Sequence, residues 1–238
     1  MRLSIEKVAK RYGETVALHP LSLEVDREIF GVIGNNGAGK STLMKMIVGL
    51  LTTGKGKILL GGENVREFPE KVKQQIGYLP ESPLLYPRLT PEELLYFIGE
   101  IKGVPHFQDE VAFWLETFAL TEKRNALLND LSFGMKKKIA LSAAFLGSPP
   151  LLILDEPFNG LDVATMEALS EMIVKRHEAG ATILMSSHLM SYIDRLCQRV
   201  VILKKGKVVT EGTPGDLKKE ANQSDFHETF LYFMKQGD

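Results

Sequence analysis

Residues 34–42 read Gly34-Asn35-Asn36-Gly37-Ala38-Gly39-Lys40-Ser41-Thr42. The stretch fits G-x-x-x-x-G-K-[ST], a loop whose backbone wraps the phosphates of a nucleotide. Before it, Ile29-Phe30-Gly31-Val32-Ile33 is apolar, as a buried strand requires; after it, Thr42 to Leu50 has helix-compatible apolar spacing. A strand, a glycine loop and a helix start aim several N–H groups at one anion. In that setting Asn36, Gly37, Ala38, Gly39 and Thr42 form the cradle. Lys40 supplies a point charge between the β- and γ-phosphates, and Ser41 offers its hydroxyl to Mg²⁺.

The bulk properties set the frame. A chain of 238 residues suits one large domain, or a domain with a sizeable insertion. Apolar residues at 44% and charged residues at 25% place it in the globular, soluble class. The longest apolar stretches, such as 139–147 and 151–154, are too short to span a bilayer. Residues 4–8 enter an apolar/polar alternation at once, so no signal peptide is expected. The single cysteine, Cys197, has no disulfide partner and reads as a small buried hydrophobe in a reducing compartment. A net charge of −1 gives no reason to expect nucleic acid as the main partner. The five histidines show no metal-ligand spacing.

Residues 2–8 and 21–25 alternate as antiparallel strands with one solvated face do. Residues 55–62 read as a short strand closed by a turn, and 76–79 as a strand ending at Pro80. Thr90-Pro91-Glu92-Glu93 is a helix start, with Thr90 as N-cap, Pro91 in the first turn and Glu93 reaching back. From there to about Leu128 the period is helical, which makes 82–148 a helical insertion whose aromatic residues are expected in its core. The α/β pattern resumes with strand 151–154, helix 163–178, strand 182–185, helix 189–197 and a strand–turn–strand pair over 200–210. The tail from Pro214 reads as polar and helical in pieces.

Asp155-Glu156 follows the apolar strand 151–154 directly. Strands of a parallel sheet end at the rim where the phosphate loop lies, so these carboxylates should face the nucleotide. Asp155 would hold the metal and Glu156 would accept a proton from the attacking water. His188 follows Ser186-Ser187 after the next strand and should reach the same rim. A neutral imidazole there would hydrogen-bond the γ-phosphate and orient the water.

At this point the chain resembles the nucleotide-binding subunit of an ATP-binding cassette (ABC) transporter over almost its whole length, most weakly after about residue 220. Gly34 to Thr42 resembles the family's Walker A, and Leu151 to Glu156 its Walker B with catalytic glutamate. Asn159-Gly160-Leu161-Asp162 resembles its D-loop, and His188 its switch histidine. Tyr12 matches the aromatic residue that stacks on adenine in this family, or is an ordinary strand-edge residue. Leu131-Ser132-Phe133-Gly134-Met135 sits where the family has Leu-Ser-Gly-Gly-Gln, the signature that contacts ATP bound to the opposite subunit. Ser132 is a good N-cap, and a helix N-terminus attracts anions. Lys136, Lys137 and Lys138 crowd that first turn; either a trans phosphate offsets their unfavourable charge or they point away as solvated lysines.

Two departures stand out. Phe133 and Met135 replace a glycine and the glutamine of the signature, while Ser132 and Gly134 remain; Phe133 puts a ring near the expected dimer seam. Ile76-Gly77-Tyr78-Leu79-Pro80-Glu81 resembles the Q-loop, with Glu81 in place of the glutamine that reaches Mg²⁺ and the attacking water. Similar variants, and the spelling around Glu28 to Gly31, resemble the ABC-2 type export group.

The resemblance implies a phosphate-loop NTPase core with a mixed sheet, an N-terminal antiparallel β part and an inserted helical subdomain. In a single 1–238 domain, 1–81 and 149–215 form the core, 82–148 the insertion and 216–238 a tail. It also implies an ATPase using ATP and Mg²⁺, pairing head to tail with a second nucleotide-binding subunit and powering separate transmembrane permease subunits at the cytoplasmic face of the membrane. Ser82-Pro83-Leu84-Leu85-Tyr86 is apolar for a loop: it docks the permease or belongs to the insertion's core. The alternative is a soluble ABC-type ATPase acting on a nucleic-acid or regulatory complex, although 82–148 lacks the long heptads of the DNA-associated relatives.

Overall fold

A computed structural model describes residues 1–67 and 69–236. The chain opens with β1 (Arg2–Tyr12) and β2 (Thr15–Asp26), then β3 (Ile29–Ile33) and helix α1 (Lys40–Ile47). Next come β4 (Lys55–Leu60), β5 (Glu63–Asn64), α2 (Pro69–Gln74) and β6 (Ile76–Leu79). Helices α3 (Pro91–Lys102), α4 (Phe107–Thr117) and α5 (Phe133–Phe145) form the insertion. Then follow β7 (Leu151–Leu154), α6 (Val163–Glu178), β8 (Thr182–Ser186) and α7 (Met190–Leu196). The chain closes with β9 (Arg199–Lys204), β10 (Lys207–Gly212), α8 (Pro214–Glu220) and α9 (Phe226–Gln236).

Two sheets result. One is antiparallel, in the order β2-β1-β4-β5; the other runs β10-β9-β3-β8-β7-β6, parallel from β9 to β6 with β10 turned back on β9. Every residue of β3, β7 and β8 is buried. Both faces of such strands are covered, which is why they read as continuous apolar runs. Successive side chains point to opposite faces. Leu152, Leu154, Ile183 and Met185 therefore join the core shared with the helical insertion. Leu151, Ile153 and Leu184 join a second core with α1 and the antiparallel sheet.

The helix start at Thr90 is a full capping box: Glu93 N–H donates to Thr90 Oγ1 at 3.2 Å, and Thr90 N–H to Glu93 Oε2 at 2.9 Å. Phe107, Trp114, Phe118 and Phe145 are core, as expected, but Phe97 and Phe113 are about half exposed. Two expectations need correction. The helix after the phosphate loop begins at Lys40 and stops at Ile47, before Gly49 with its φ of 75°. The tail is not a polar appendage: α9 buries Phe226, Phe230 and Phe233, spaced i, i+4, i+7 on one face, against the core. Residues 237 and 238 of that tail lie outside the described residues. Among the described residues, no helix is long and apolar enough to cross a membrane.

Candidate active site

β3, β8 and β7 are parallel neighbours. Their C-terminal ends therefore deliver the phosphate loop, Ser186-Ser187-His188 and Asp155-Glu156 side by side. A cleft of about 340 Å³ lies there, lined by residues 36–42, Glu81, Asp155 and Glu156, and by Thr15, Val16 and Ala17 of β2. The cradle residues and the three carboxylates are thus brought together. The β2 residues were not foreseen. They arrive because the antiparallel sheet closes over the loop, and no local motif announces them.

Gly39 shows how tight that closure is. Its φ is 104°, and a Cβ would stand 2.7 Å from Ala17 O, a backbone atom. Gly39 also caps α1 without any side-chain bond, so the first N–H groups of the helix stay available to an anion. Lys40 is buried, and its ammonium donates to Gly34 O at 2.8 Å and Asn35 O at 3.5 Å.

The carboxylates form a buried network. Glu156 has a φ of 49°, a left-handed conformation that costs a non-glycine residue on the order of 1–3 kcal/mol. It is held there by its bonds. Glu156 N–H donates to Ser186 Oγ at 2.9 Å, and the Ser186 hydroxyl donates to Asp155 Oδ1 at 2.6 Å. Glu156 Oε2 accepts from His188 N–H at 3.2 Å and lies 2.8 Å from His188 Nδ1. Ser186, which bridges Asp155 and Glu156, is a residue that motif reading does not single out. His188 reaches the site through Glu156. An Nδ1–H donating to the carboxylate leaves a neutral ring only a lone pair on Nε2, so a bond from Nε2 to phosphate requires the imidazolium.

Asp155 is 1% exposed, and its Oδ2 has no hydrogen-bond partner. A buried, unpaired carboxylate oxygen is costly and fits a cation. Among the described residues, no cluster of three or more His, Cys, Asp or Glu could hold a metal. Tyr78 Oη is likewise buried without a partner. Its hydroxyl is pushed up to about 12 by burial and then by the Asp155 charge. Lys137 is fully buried, with its ammonium on Glu81 O at 3.0 Å and Pro80 O at 3.4 Å. Burial pushes it down to about 8, against the opposing pull of Asp155, Glu156 and Glu81.

Tyr12, Ser132, Gly134, Asp162 and His188 are not among the residues lining the cleft. Tyr12 ends β1 with its ring about half exposed and the Lys10 ammonium 5.5 Å from the ring centroid. Ser132 is the N-cap of α5, its Oγ accepting from Met135 N–H at 3.3 Å, and is exposed. Gly134 packs on its own chain: a Cβ would meet Gly160 O at 2.9 Å. The Phe133 ring lies over Gly160, where a Cβ would meet Phe133 Cε1 at 2.6 Å. Asp162 caps α6 by accepting from Thr165 N–H at 2.9 Å, and pairs with Lys138 at 3.1 Å. The Thr165 N–H and hydroxyl, then Lys138, hold its carboxyl far below the usual carboxylate range. The lysine run is corrected in one respect: Lys137 is fully buried and not solvated, and each of the three ammonium groups has a partner within the chain. Lys136 donates to Asn129 O, Lys137 to the Glu81 backbone and Lys138 to Asp162. Cys197 is buried, which pushes its thiol up, as a small core residue requires.

A phosphate loop, a carboxylate pair at the end of the next strand but one in the sheet and a helical insertion between them in sequence define a phosphate-loop NTPase. The family described as ABC transporter matches residues 18–159, more than half of the chain, and the chain belongs to that family. It is 38% identical over 220 residues to the uncharacterized ABC transporter ATP-binding protein YhaQ of Bacillus subtilis (strain 168), covering 91% of this chain and 73% of that protein. It is 34% identical over 218 residues to the Nod factor export ATP-binding protein I of Cupriavidus pinatubonensis, covering 90% of this chain and 67% of that one. A solved structure described as the ATP binding subunit of an ABC transporter superposes with a TM-score of 0.93 at 33% identity, over 98% of this chain and 100% of the other. The protein is an ATP-binding ATPase of the ABC family.

Proposed function

We propose that this chain is the ATP-hydrolysing subunit of a membrane exporter, and that two such subunits close head to tail around ATP. The observation that carries the reading is a split site. Lys40, Ser41, Asp155 and Glu156 line one cleft, while the Ser132-capped start of α5 stands exposed outside it. Joining the cleft of one protomer to the Ser132 and Gly134 face of another gives the γ-phosphate donors on both sides. Asp162 then stands at the seam, and the half-exposed Tyr12 ring offers adenine a flat face. Export is supported by the printed name of the Nod factor relative and by the resemblance to the ABC-2 group.

In this reading Lys40 holds the β- and γ-phosphates. Ser41, Asp155 and Glu81 would hold Mg²⁺, which would spread the phosphate charge when bound. Glu156, fixed by Ser186 and His188, takes the proton of the attacking water, a role that contributes roughly 10²–10⁴-fold. Loss of the γ-phosphate removes what joined the protomers, and the pair opens. Residues 1–81 with 149–215 act as the core and 82–148 as the lever. The permease docks beside Glu81, where Leu84 is 97% and Tyr86 62% exposed, and keeps the subunit at the cytoplasmic face. Exposed apolar side chains of this kind mark contact surfaces.

Light scattering on Glu156→Gln protein with Mg·ATP tests the clamp. A stable ATP-dependent dimer is expected, and a monomer at every nucleotide concentration refutes head-to-tail closure.

A further inference from the structure

Lys137 has no place in that mechanism, yet it is the only fully buried cation among the described residues. It lies on α5, whose buried residues after it include Ile139, Ala140 and Leu141. A buried ammonium carries a desolvation penalty of several kcal/mol unless charge and hydrogen bonds offset it. The hydrogen bonds go to Glu81 O at 3.0 Å and Pro80 O at 3.4 Å, both in the segment that brings Glu81 to the cleft. Among the described residues no carboxylate forms an ion pair with it; those of Asp155, then Glu156, then Glu81, which all line the cleft, act on it across a longer distance. Lys40, the other buried cation there, rests on the loop carbonyls Gly34 O and Asn35 O. Three carboxylates thus wall a cleft that must also take a polyanion, and the third is Glu81, standing where the family pattern has an uncharged amide.

We propose that Lys137 is an electrostatic positioning residue of the ATP site: delivered by α5 and tied to the Glu81 backbone, its ammonium offsets the negative charge that Glu81 adds to that of Asp155 and Glu156 in the cleft. The residue does not touch ATP. It acts through Glu81, tying that segment's backbone to the helix that begins at Ser132. The inference rests on the assignment of Glu81 to the ATP site.

A double-mutant cycle separates charge compensation from a plain tether. Lys137→Gln keeps an N–H donor for the carbonyls and removes the charge. With Glu81 present it is expected to weaken Mg·ATP binding about tenfold, and in a Glu81→Gln background by less than about threefold. Lys137→Arg, which keeps the charge, is expected to bind within about threefold of wild type. Urea midpoints of the nucleotide-free proteins should show coupling of the same sign. Equal losses in both backgrounds, or a Lys137→Gln protein that binds like wild type, overturn the proposal. Coupling in the urea midpoints without coupling in affinity removes Lys137 from the ATP site and also counts against Glu81 there. Should Lys137→Gln alone fail to fold, a folded double variant supports the proposal. A double variant that also fails, beside a soluble Glu81→Gln, refutes it. None of these outcomes depends on dimer trapping, so the head-to-tail clamp stands or falls separately.

Discussion

The cleft at the ends of β3, β7 and β8 and the start of α5 carry the same kind of polar chemistry in opposite states. In the cleft, Asp155 and Glu156 are 1% and 7% exposed and joined through Ser186, with His188 bonded to Glu156. At the α5 start, Ser132 is exposed, Phe133 is 53% exposed, and the side chains that bear charge are already spent on neighbours within the chain. Burial makes the first arrangement rigid, because each partner lost leaves a polar group unsatisfied in low dielectric. The second is held by the Ser132 cap, by the lysine contacts and by the packing of Phe133 on Gly160, and it stands open to another surface. One half of the proposed site is thus finished by its own fold, and in the proposed clamp the other is finished by association.

The sharpest way to break that contrast is Ser186→Ala. It strands Glu156 N–H and Asp155 Oδ1, both buried, at a cost of about 1–3 kcal/mol in urea unfolding. It also frees the left-handed Glu156 backbone to relax. Single-turnover hydrolysis is expected to fall about a hundredfold, because a general base acts only when held in place. ATP affinity, set by the phosphate loop, should stay within about threefold. Hydrolysis within about twofold of wild type would show that Glu156 is positioned by something other than this bridge.

A second effect, of intermediate size, concerns the opposite end of α5. Lys102, on α3, donates to Ala143 O at 2.9 Å and Leu146 O at 3.1 Å, which anchors the C-terminal end of the helix that starts at Ser132. Burial pushes its ammonium down to about 8 from an ordinary 10.5, with Glu110 opposing. Between those two values the unfolded chain binds more protons than the folded one. Stability from this group therefore rises with pH across the window, and the penalty of burying the cation is felt in full below it. Relative to Lys102→Met, the unfolding free energy of wild type should climb from pH 8 towards pH 10.5, by at most about 1.4 kcal/mol per pH unit. A flat difference means that Lys102 keeps its proton throughout. ATP affinity should not follow the change, since the cleft lies at the other end of the core.

The two halves also differed in how far they could be read from residues alone. Gly34 to Thr42, Asp155-Glu156 and His188 sit at strand ends, and one topological rule places all three at a common rim. Thr15 to Ala17 escaped because a second sheet brings them, and no short-range pattern encodes that approach. Ser186 escaped because a serine at a strand end is ambiguous until its neighbours are known. Lys137 was one of three consecutive lysines. The helix that carries it is buried on most sides, from Lys137 through Phe145, so its periodicity gives no clear inward face. The α9 stripe of Phe226, Phe230 and Phe233 was readable by the same rule and was masked by the polar residues between. What local pattern encodes is the strand-end chemistry; what it leaves open is which polar residue the tertiary packing turns inward.

The smallest expected effect tests the exposed half directly. On sequence alone, Phe133 is a ring that crowds the seam between protomers. In the structure the ring lies over Gly160 of its own chain, closely enough that a Cβ on Gly160 would stand 2.6 Å from Phe133 Cε1. A ring engaged there is not standing across Ser132. Phe133→Ala in a Glu156→Gln background should therefore shift the ATP-dependent monomer–dimer constant by less than about threefold, an effect of about 0.6 kcal/mol or less. Its cost to urea stability should stay under that of a buried aromatic, roughly 3–5 kcal/mol, because the side chain is already half in water. Tightening of the dimer by tenfold or more would mean that the ring leaves Gly160 and obstructs the partner. The start of α5 would then be a restrained surface, held back by its own phenylalanine, and not one that merely lacks a cover.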